Sequence, residues 1–202
     1  PGWLMYLTCA MELVLSAVVF SGRWTTLVSL IQIGLILGFT TILAIHDPWL
    51  LAHPFGVLSK NLPLLLLIFL LWKVPHSGWS PSSLWLLRIA AALPWFTEGL
   101  FPKILFPQEM EIAIVAGSGL SPIAPENFLQ FIGAMQVGSA ILALTLKSSA
   151  LRIVLLLQAL GLVLFPILVG YQIPNMWFHP FGPFFKNLPV FIATVEVWKR
   201  CK

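Results

Sequence analysis

The chain has 202 residues, of which 59% are hydrophobic and only 9% are charged, and its formal net charge is +4. A soluble domain carries roughly 25% charged residues, so 11 basic and 7 acidic side chains cannot coat a soluble fold of this length. The apolar runs are long and do not alternate with polar residues, which predicts an all-α integral membrane protein. The basic residues lie between these runs and form no stripe with interleaved aromatics, which excludes a nucleic-acid partner.

Seven apolar runs predict seven membrane helices. They cover residues 3–22, 25–45, 61–74, 84–106, 127–146, 151–171 and 187–199. In the second run, Gly34 and Gly38 have the small-xxx-small spacing that permits a close helix contact. The third run is short, with Asn61 placed to cap its helix and Pro63 in the first turn. Residues 108–125 hold an apolar core too short to cross a bilayer, and we predict an interfacial helix there.

Residues 53–73 and 179–199 are two copies of one segment. They agree at ten of 21 positions at a constant offset of 126, and each copy begins with HPFG and continues into KNLP. The span 3–22 likewise corresponds to 127–146, with a small length change. Because units of four spans keep the same orientation, we predict two parallel four-helix units related by a pseudo-two-fold axis along the membrane normal.

Only the second of these units is predicted to be complete, because nothing in the first copy corresponds to the span 84–106. The predicted organisation is a three-span first repeat over 1–75, a linker over 76–83 and a four-span second repeat over 84–202. The chain also starts at Pro1 rather than Met. Our hypothesis is therefore a fragment that lacks an N-terminal helix, and a seven-span protein after signal cleavage is the alternative.

The basic residues predict an orientation. Most of them fall on one predicted side, namely Arg23, Lys73, Arg88, Lys147, Arg152, Lys199, Arg200 and Lys202. The positive-inside rule makes this side cytoplasmic, together with the C-terminus. Both HPFG loops and the segment from Glu98 to Lys103 then face the outer side.

The segment RIAAALPWFTEGLFPKILFP at 88–107 and the two HPFG…KNLP loops resemble the DoxX-like membrane proteins of the DoxX/DoxD group. The resemblance covers essentially the whole chain. It implies a four-helix membrane unit in a bacterial inner membrane, with a redox association, because one relative is associated with thiosulfate:quinone oxidoreductase. Some relatives also lie beside NAD(P)-binding reductase domains, but this chain has no GxGxxG pattern. The resemblance implies no established catalytic residues.

The short third and last spans predict a site near the outer surface. Each is about 20 Å long, shorter than the roughly 30 Å hydrocarbon core, so the loops before them would lie below the surface and line a wet cavity or be buried in protein. The candidate ligand-binding residues in and near this cavity are His53, Lys60, Asn61, Trp95, Glu98, Lys103, His179, Lys186 and Asn187. The alternative is that these side chains only cap helix ends and bind loop carbonyls.

Three acidic and basic side chains have further interpretations. Glu12 lies in the middle of an apolar run, where a carboxylate is either functional or a hydrogen-bonded brace between helices, and Gln136 takes its place in the second copy. Glu98 and Lys103 are five residues apart and do not face each other as an i, i+4 pair would. Glu98 could pair instead with a lysine of an HPFG loop, and Pro102 could bend the helix.

Three functions remain open at this point. The first is a redox-associated membrane subunit that holds a quinone or a lipid-like molecule in the outer-side cavity. The second is a non-catalytic accessory or anchor subunit of a larger membrane complex, and the third is a small-molecule transporter. The sequence has no metal-ligand spacing, phosphate loop or Ser-His-Asp arrangement, so it predicts no metal site and identifies no catalytic residue. Expected partners are membrane lipids and other membrane or redox subunits.

Overall fold

The computed structural model describes residues 2–53, 57–178 and 184–201, and these residues form α-helices and short helical turns without a strand. The helices are α1 (Gly2–Ser21), α2 (Thr25–His46), α3 (Val57–Ser77), α4 (Pro81–Gly99), α5 (Glu109–Ser118), α6 (Pro125–Thr145), α7 (Ser148–Gln172) and α8 (Asn187–Arg200). Short 3₁₀ turns at Pro48–Ala52 and Pro174–Phe178 end just before the two HPFG loops. The predicted all-α class is confirmed.

Within the described residues, four helices are long and apolar enough to cross a membrane. They are α2, α6, α7 and the helix formed by α4 with its extension, Pro81–Leu105. α1 contributes a shorter apolar segment, Tyr6–Ser21, which is not among these four. The chain is therefore a helical membrane protein, and the count of seven spans stays a prediction.

Four helices close a ring in the second half of the chain. α4 packs on α6, α6 on α7, α7 on α8, and α8 returns to α4. The centre of this ring is built from small and aliphatic side chains, including Ala91, Ala143, Ala193, Leu155 and Val190, all of which are buried. Small residues let membrane helices approach closely, where van der Waals contact replaces the hydrophobic effect as the driving force.

The remaining helices extend from this ring. α3 packs against α4 and α8, α2 packs on α3, and α1 packs on α2. α5 lies against α6 and α7. It is a ten-residue helix within the stretch 108–125, too short to span a bilayer, as the interfacial interpretation expected.

The prediction of a short third span is wrong. α3 has 21 residues and begins at Val57, so Asn61 lies inside the helix and does not cap it, and Pro63 falls beyond the first turn. Proline is tolerated inside membrane helices because neighbouring groups satisfy the carbonyl that it leaves free. The last span is short as predicted, because α8 has 14 residues and begins at Asn187.

The linker between the two halves is also shorter than predicted. α3 continues to Ser77 and α4 begins at Pro81. Ser80 caps α4, since its hydroxyl oxygen accepts a hydrogen bond from the backbone N–H of Ser83 at 3.2 Å. Proline at the first helical position completes this start, because its missing N–H is not needed there.

The close helix contact forms at a different glycine pair from the predicted one. A Cβ atom placed on Gly34 or Gly38 would meet no described atom within 4 Å. A Cβ on Gly99 would instead lie 2.6 Å from the carbonyl oxygen of Gly133, and a Cβ on Gly133 would lie 2.7 Å from that of Gly99. α4 and α6 therefore touch backbone to backbone, at the level of the candidate site.

Candidate functional site

The carboxylate of Glu98 binds a lysine of the first repeated segment. Lys60 Nζ lies 2.6 Å from Glu98 Oε1, and the Ser59 hydroxyl donates to the same oxygen at 3.2 Å. Lys60 is only 4% exposed, so its ammonium group needs this partner. Glu98 therefore pairs with a lysine of a repeated segment, which is one of the alternatives that the sequence offered for it. Because Lys60 lies on α3, this ion pair ties α3 to α4.

Lys103 pairs with a carboxylate that the sequence analysis did not single out. Its Nζ lies 2.7 Å from Glu111 Oε1 on α5 and donates to the backbone carbonyl of Glu98 at 3.2 Å. That carbonyl is available because Pro102, four residues later, has no N–H to donate to it. The chain here continues α4 as a π-helix over Leu100–Leu105, a conformation often found at functional sites.

The lysines and asparagines of the two repeated segments bind each other in a crossed arrangement. Lys60 Nζ donates to Asn187 Oδ1, and Lys186 Nζ donates to Asn61 Oδ1 at 3.3 Å. Each lysine thus reaches the asparagine of the other copy. Asn61 Nδ2 also donates to Thr40 Oγ1 at 2.8 Å, which ties the network to α2.

A cavity of about 170 Å³ lies beside these ion pairs. Its polar lining is formed by Lys60, Glu98, Lys103, Glu111, Gln136 and Asn187. Its apolar lining is formed by Ile114, Val115, Leu129, Ile132, Phe165, Pro166, Val169 and Phe184. A smaller space of about 50 Å³, lined in part by Trp95, Gly161 and Leu162, shares Lys60, Glu98, Gln136, Phe165 and Asn187 with it.

Three buried polar atoms around the two spaces have no hydrogen-bond partner among the described residues. They are the Trp95 indole nitrogen, Glu111 Oε2 and Gln136 Oε1. A buried polar atom without a partner costs about 1–3 kcal/mol, so these atoms mark where a ligand or water would be stabilised. They offer one donor and two acceptors.

The Trp95 ring is held in place by its contact with α7. A Cβ on Gly161 would lie 2.6 Å from the ring carbon Cη2, so only glycine leaves room for the indole. Phe165 flanks it with a centroid distance of 6.3 Å. A second proline acts nearby, because Pro166 leaves the carbonyl of Leu162 free and Asn187 Nδ2 approaches that oxygen at 3.5 Å.

Burial shifts the pKa values of two groups in this region. It raises the pKa of the Glu111 carboxyl, and the charge and hydrogen bond of Lys103 offset that shift only in part. It lowers the pKa of the Lys186 ammonium, to which the positive charge of Lys60 contributes further. Both groups are therefore closer to exchanging a proton at neutral pH than ordinary side chains of their kind.

Not every predicted site residue lines the cavity. His53 is half-buried and lies with Ser59 and Glu98 around a separate space of about 10 Å³, on the side of Phe101 and Pro102. His179 lies outside the described residues, as does most of both HPFG motifs. Glu12 is exposed on α1, and no ion pair to it is found among the described residues.

The described residues contain no group of three or more His, Cys, Asp or Glu side chains that could hold a metal ion. The side chains that line the cavity offer ion pairing, hydrogen bonding and proton exchange, together with apolar contact.

A family model described as the DoxX-like family matches residues 2–69 and 92–195, which together make up most of the chain. The matched ranges include both ion pairs of the site. No curated protein and no solved structure matches the chain.

Proposed function

Because the chain belongs to the DoxX-like family, we propose that it is a redox-associated membrane subunit that holds a quinone, or a lipid-like molecule with a polar head, in the cavity beside Lys103. The observation that supports this most is the division of the cavity lining. The polar and ionised groups of the cavity come from α3, from the end of α4 and the π-helical turn after it, from α8, and from α5 and α6. The rest of the lining consists of aliphatic and aromatic side chains, most of them on α5, α6 and α7. Pockets of this kind orient a polar head and accept an apolar body.

The dimensions suit the head of such a molecule. A cavity of about 150 Å³ is known to accept benzene, and this cavity measures about 170 Å³. The Trp95 indole N–H would donate to a quinone carbonyl oxygen, and Phe165 would contact the ring. Ile114, Ile132 and Val169 would take the start of the isoprenoid tail.

The ion pairs would position this ligand and supply protons. Lys103 is held by Glu111 and by the carbonyl of Glu98, so its ammonium group has a defined direction. Glu111, with its raised pKa, would exchange a proton with the hydroxyl of a bound quinol. In this proposal the electrons come from a partner redox subunit or pass to one.

We extend the proposal to the arrangement of the chain in the membrane. The crossed Lys60–Asn187 and Lys186–Asn61 bonds support a two-fold relation between the two repeats, because a two-fold axis makes each copy bind the other in the same way. Arg88, Lys147 and Arg200 meet at the opposite end of the bundle. We therefore place the C-terminus in the cytoplasm and the cavity towards the outer side of a bacterial inner membrane.

The test is direct measurement of quinone. The full chain is purified from bacterial membranes in a mild detergent, retained quinone is quantified by mass spectrometry, and binding of added decylubiquinone is titrated. Trp95→Phe removes the indole donor and keeps an aromatic ring, so decylubiquinone should bind roughly threefold to tenfold more weakly. Trp85→Phe, at the opposite end of α4, is the matched control and should bind like the wild type.

Two results would contradict the proposal. One is the absence of retained quinone together with no saturable decylubiquinone binding, in which case the accessory-subunit function becomes the better account. The other is equal weakening by Trp85→Phe and Trp95→Phe, which would indicate partitioning of the probe into the detergent-bound protein surface.

A further inference from the structure

A second cavity, of about 370 Å³, lies at the end of the bundle opposite Lys60. It is bounded by the beginnings of α4 and α7 and by the end of α8. Its walls are apolar where Leu84, Leu87, Leu151 and Val197 line it. Its rim is basic, with Arg88, Lys147 and Arg200, and the described lining residues include no aspartate or glutamate.

The positive charge of this rim is only partly balanced. Arg200 forms an ion pair with Glu196, with Nη2 at 2.5 Å from Oε1. Lys147 has no ion pair among the described residues. Arg88 uses Nε and Nη2 to bind the carbonyl oxygens of Ala143 and Leu146 at the end of α6. A guanidinium carries five N–H donors, so three of them lie outside these two bonds.

The start of α7 adds further donors to the same cavity. Lys147 occupies the N-cap position, and its side chain makes no capping hydrogen bond. Ser148, the first helical residue, lines the cavity. The first N–H groups of a helix have no partner within the helix and favour an anion. An anion at the rim would therefore meet both side-chain and backbone donors.

Tryptophan rings mark this end of the bundle as the membrane–water boundary. Arg88 lies over Trp85 at 5.3 Å from the ring centroid, Arg152 over Trp198 at 5.4 Å, and Arg200 over Trp79 at 3.8 Å. Tryptophan is enriched at the level of lipid headgroups, where one part of the ring is apolar and another is hydrated. The basic rim thus lies at headgroup depth, with its apolar walls continuing beneath it.

We propose that this cavity binds the phosphate headgroup of an anionic phospholipid, with the phosphate at Arg88, Lys147 and the start of α7 and the first acyl carbons against Leu84, Leu87 and Leu151. Basic clefts between transmembrane helices on the cytoplasmic side have the chemistry for such headgroups. The apolar walls favour a lipid over free phosphate, which has nothing to place against them. This site is separate from the quinone cavity and does not rest on the function proposed above.

The test compares lipids and charge-matched variants. The full chain in detergent is exchanged against vesicles of phosphatidylcholine with added phosphatidylglycerol, and the bound lipids are measured by native mass spectrometry. Lys147→Gln and Arg200→Gln each remove one charge from the rim. Lys73→Gln is the control, because Lys73 donates to Ser82 near the start of α4 and does not line the cavity. Arg88 is left unchanged, since its bonds to α6 would make its loss a folding defect.

Lys147→Gln should lower the ratio of bound phosphatidylglycerol to bound phosphatidylcholine about fivefold. Arg200→Gln should lower it less, because Glu196 already balances the charge of Arg200, and Lys73→Gln should leave the ratio unchanged. Inorganic phosphate added in excess should not displace the lipid. An equal loss in Lys73→Gln would overturn the proposal in favour of unspecific charge attraction. Displacement by phosphate would overturn it in favour of a soluble phosphate ligand, and equal binding of the two lipids would show that the cavity does not select for charge.

Discussion

Lys60 and Glu98 form an ion pair of 2.6 Å that joins α3, in the first half of the chain, to α4, in the second. Both side chains are largely buried, at 5% and 18% exposure. The pair stands in the network that also contains Asn187 and Ser59. It therefore holds the two halves together at the edge of the cavity that Lys103 and Glu111 also line.

Removing one partner of this pair should be costly. Lys60→Met leaves the Glu98 carboxylate buried without its counter-ion, and the free energy of unfolding should fall by about 3 kcal/mol. SDS-titration unfolding measures it, and Lys60→Met with Glu98→Gln should recover part of the loss. Glu196→Gln breaks the more exposed pair with Arg200 and should cost less than about 1 kcal/mol. Equal losses in the two single variants would show that burial does not strengthen the Lys60 pair.

The crossed lysine–asparagine bonds predict an asymmetry between two equivalent substitutions. Asn61→Asp places a carboxylate beside Lys186, for which the structure shows no acidic partner among the described residues. The Thr40 hydroxyl, which now donates to the carbonyl of Ile36, can turn towards the new acceptor by giving up that bond. Asn187→Asp places a carboxylate beside Lys60, which Glu98 already neutralises. The first variant should be the more stable by about 2 kcal/mol. The reverse order in SDS-titration unfolding would contradict the arrangement of the network.

Glu111 should make stability depend on pH. Its pKa in the folded state is raised above the ordinary value of 4.5. At a pH between these two pKa values, the folded state holds a proton on Glu111 that the unfolded state has lost. Stability should therefore fall as the pH rises from 4.5 through the raised pKa. Glu111→Gln should flatten this part of the profile of melting temperature against pH. Glu109→Gln, on the exposed side of the same helix, should keep the pH dependence of the melting temperature. A flat profile in Glu109→Gln as well would show that Glu111 is not the group responsible.

The backbone contact between α4 and α6 should make the replacement of Gly133 destabilising. Gly133→Ala puts a methyl group 2.7 Å from the Gly99 carbonyl oxygen, and the helices must separate at a cost of about 1–3 kcal/mol. Gly138→Ala, on the same helix, meets no described atom within 4 Å and should be neutral or stabilising by up to about 1 kcal/mol. Thermal unfolding of the two variants distinguishes contact from helix propensity, because propensity alone would stabilise both.

The sequence predicted the parts of the site that carry unusual signals. Charged residues are rare in this chain, so Lys60, Glu98 and Lys103 stood out, and the repeat identified Asn61 and Asn187 as well. Lys60, Glu98, Lys103 and Asn187 line the cavity together, whereas Asn61 binds Lys186 and does not line it. Trp95 is also among the predicted ligand-binding residues, and it lines the smaller space beside them.

Other parts of the site carry no comparable signal. Glu111 lies on a helix that the sequence places at the interface because its apolar core is too short to cross a bilayer, and only tertiary packing against α6 and α7 turns its side chain inwards. The sequence predicts too late a start for α3, because Asn61 and Pro63 are typical of the beginning of a helix. In the structure the helix begins at Val57 and continues through both residues. Propensity is a weak predictor in a membrane helix, because lipid offers the backbone no hydrogen bonds and neighbouring protein groups can satisfy a carbonyl that proline leaves free.

The π-helix at Leu100–Leu105 carries one residue more than an α-helix of the same rise would need, and the position of Lys103 depends on that surplus. Each residue of an α-helix turns the chain by about 100°. If the same residues were wound as an α-helix, with no π turn to take up the surplus residue, the side chains that follow would rotate away from their present neighbours by about that angle. Lys103 would leave Glu111 although neither residue had been changed. The winding of this helix, and not only its composition, therefore determines which charges meet.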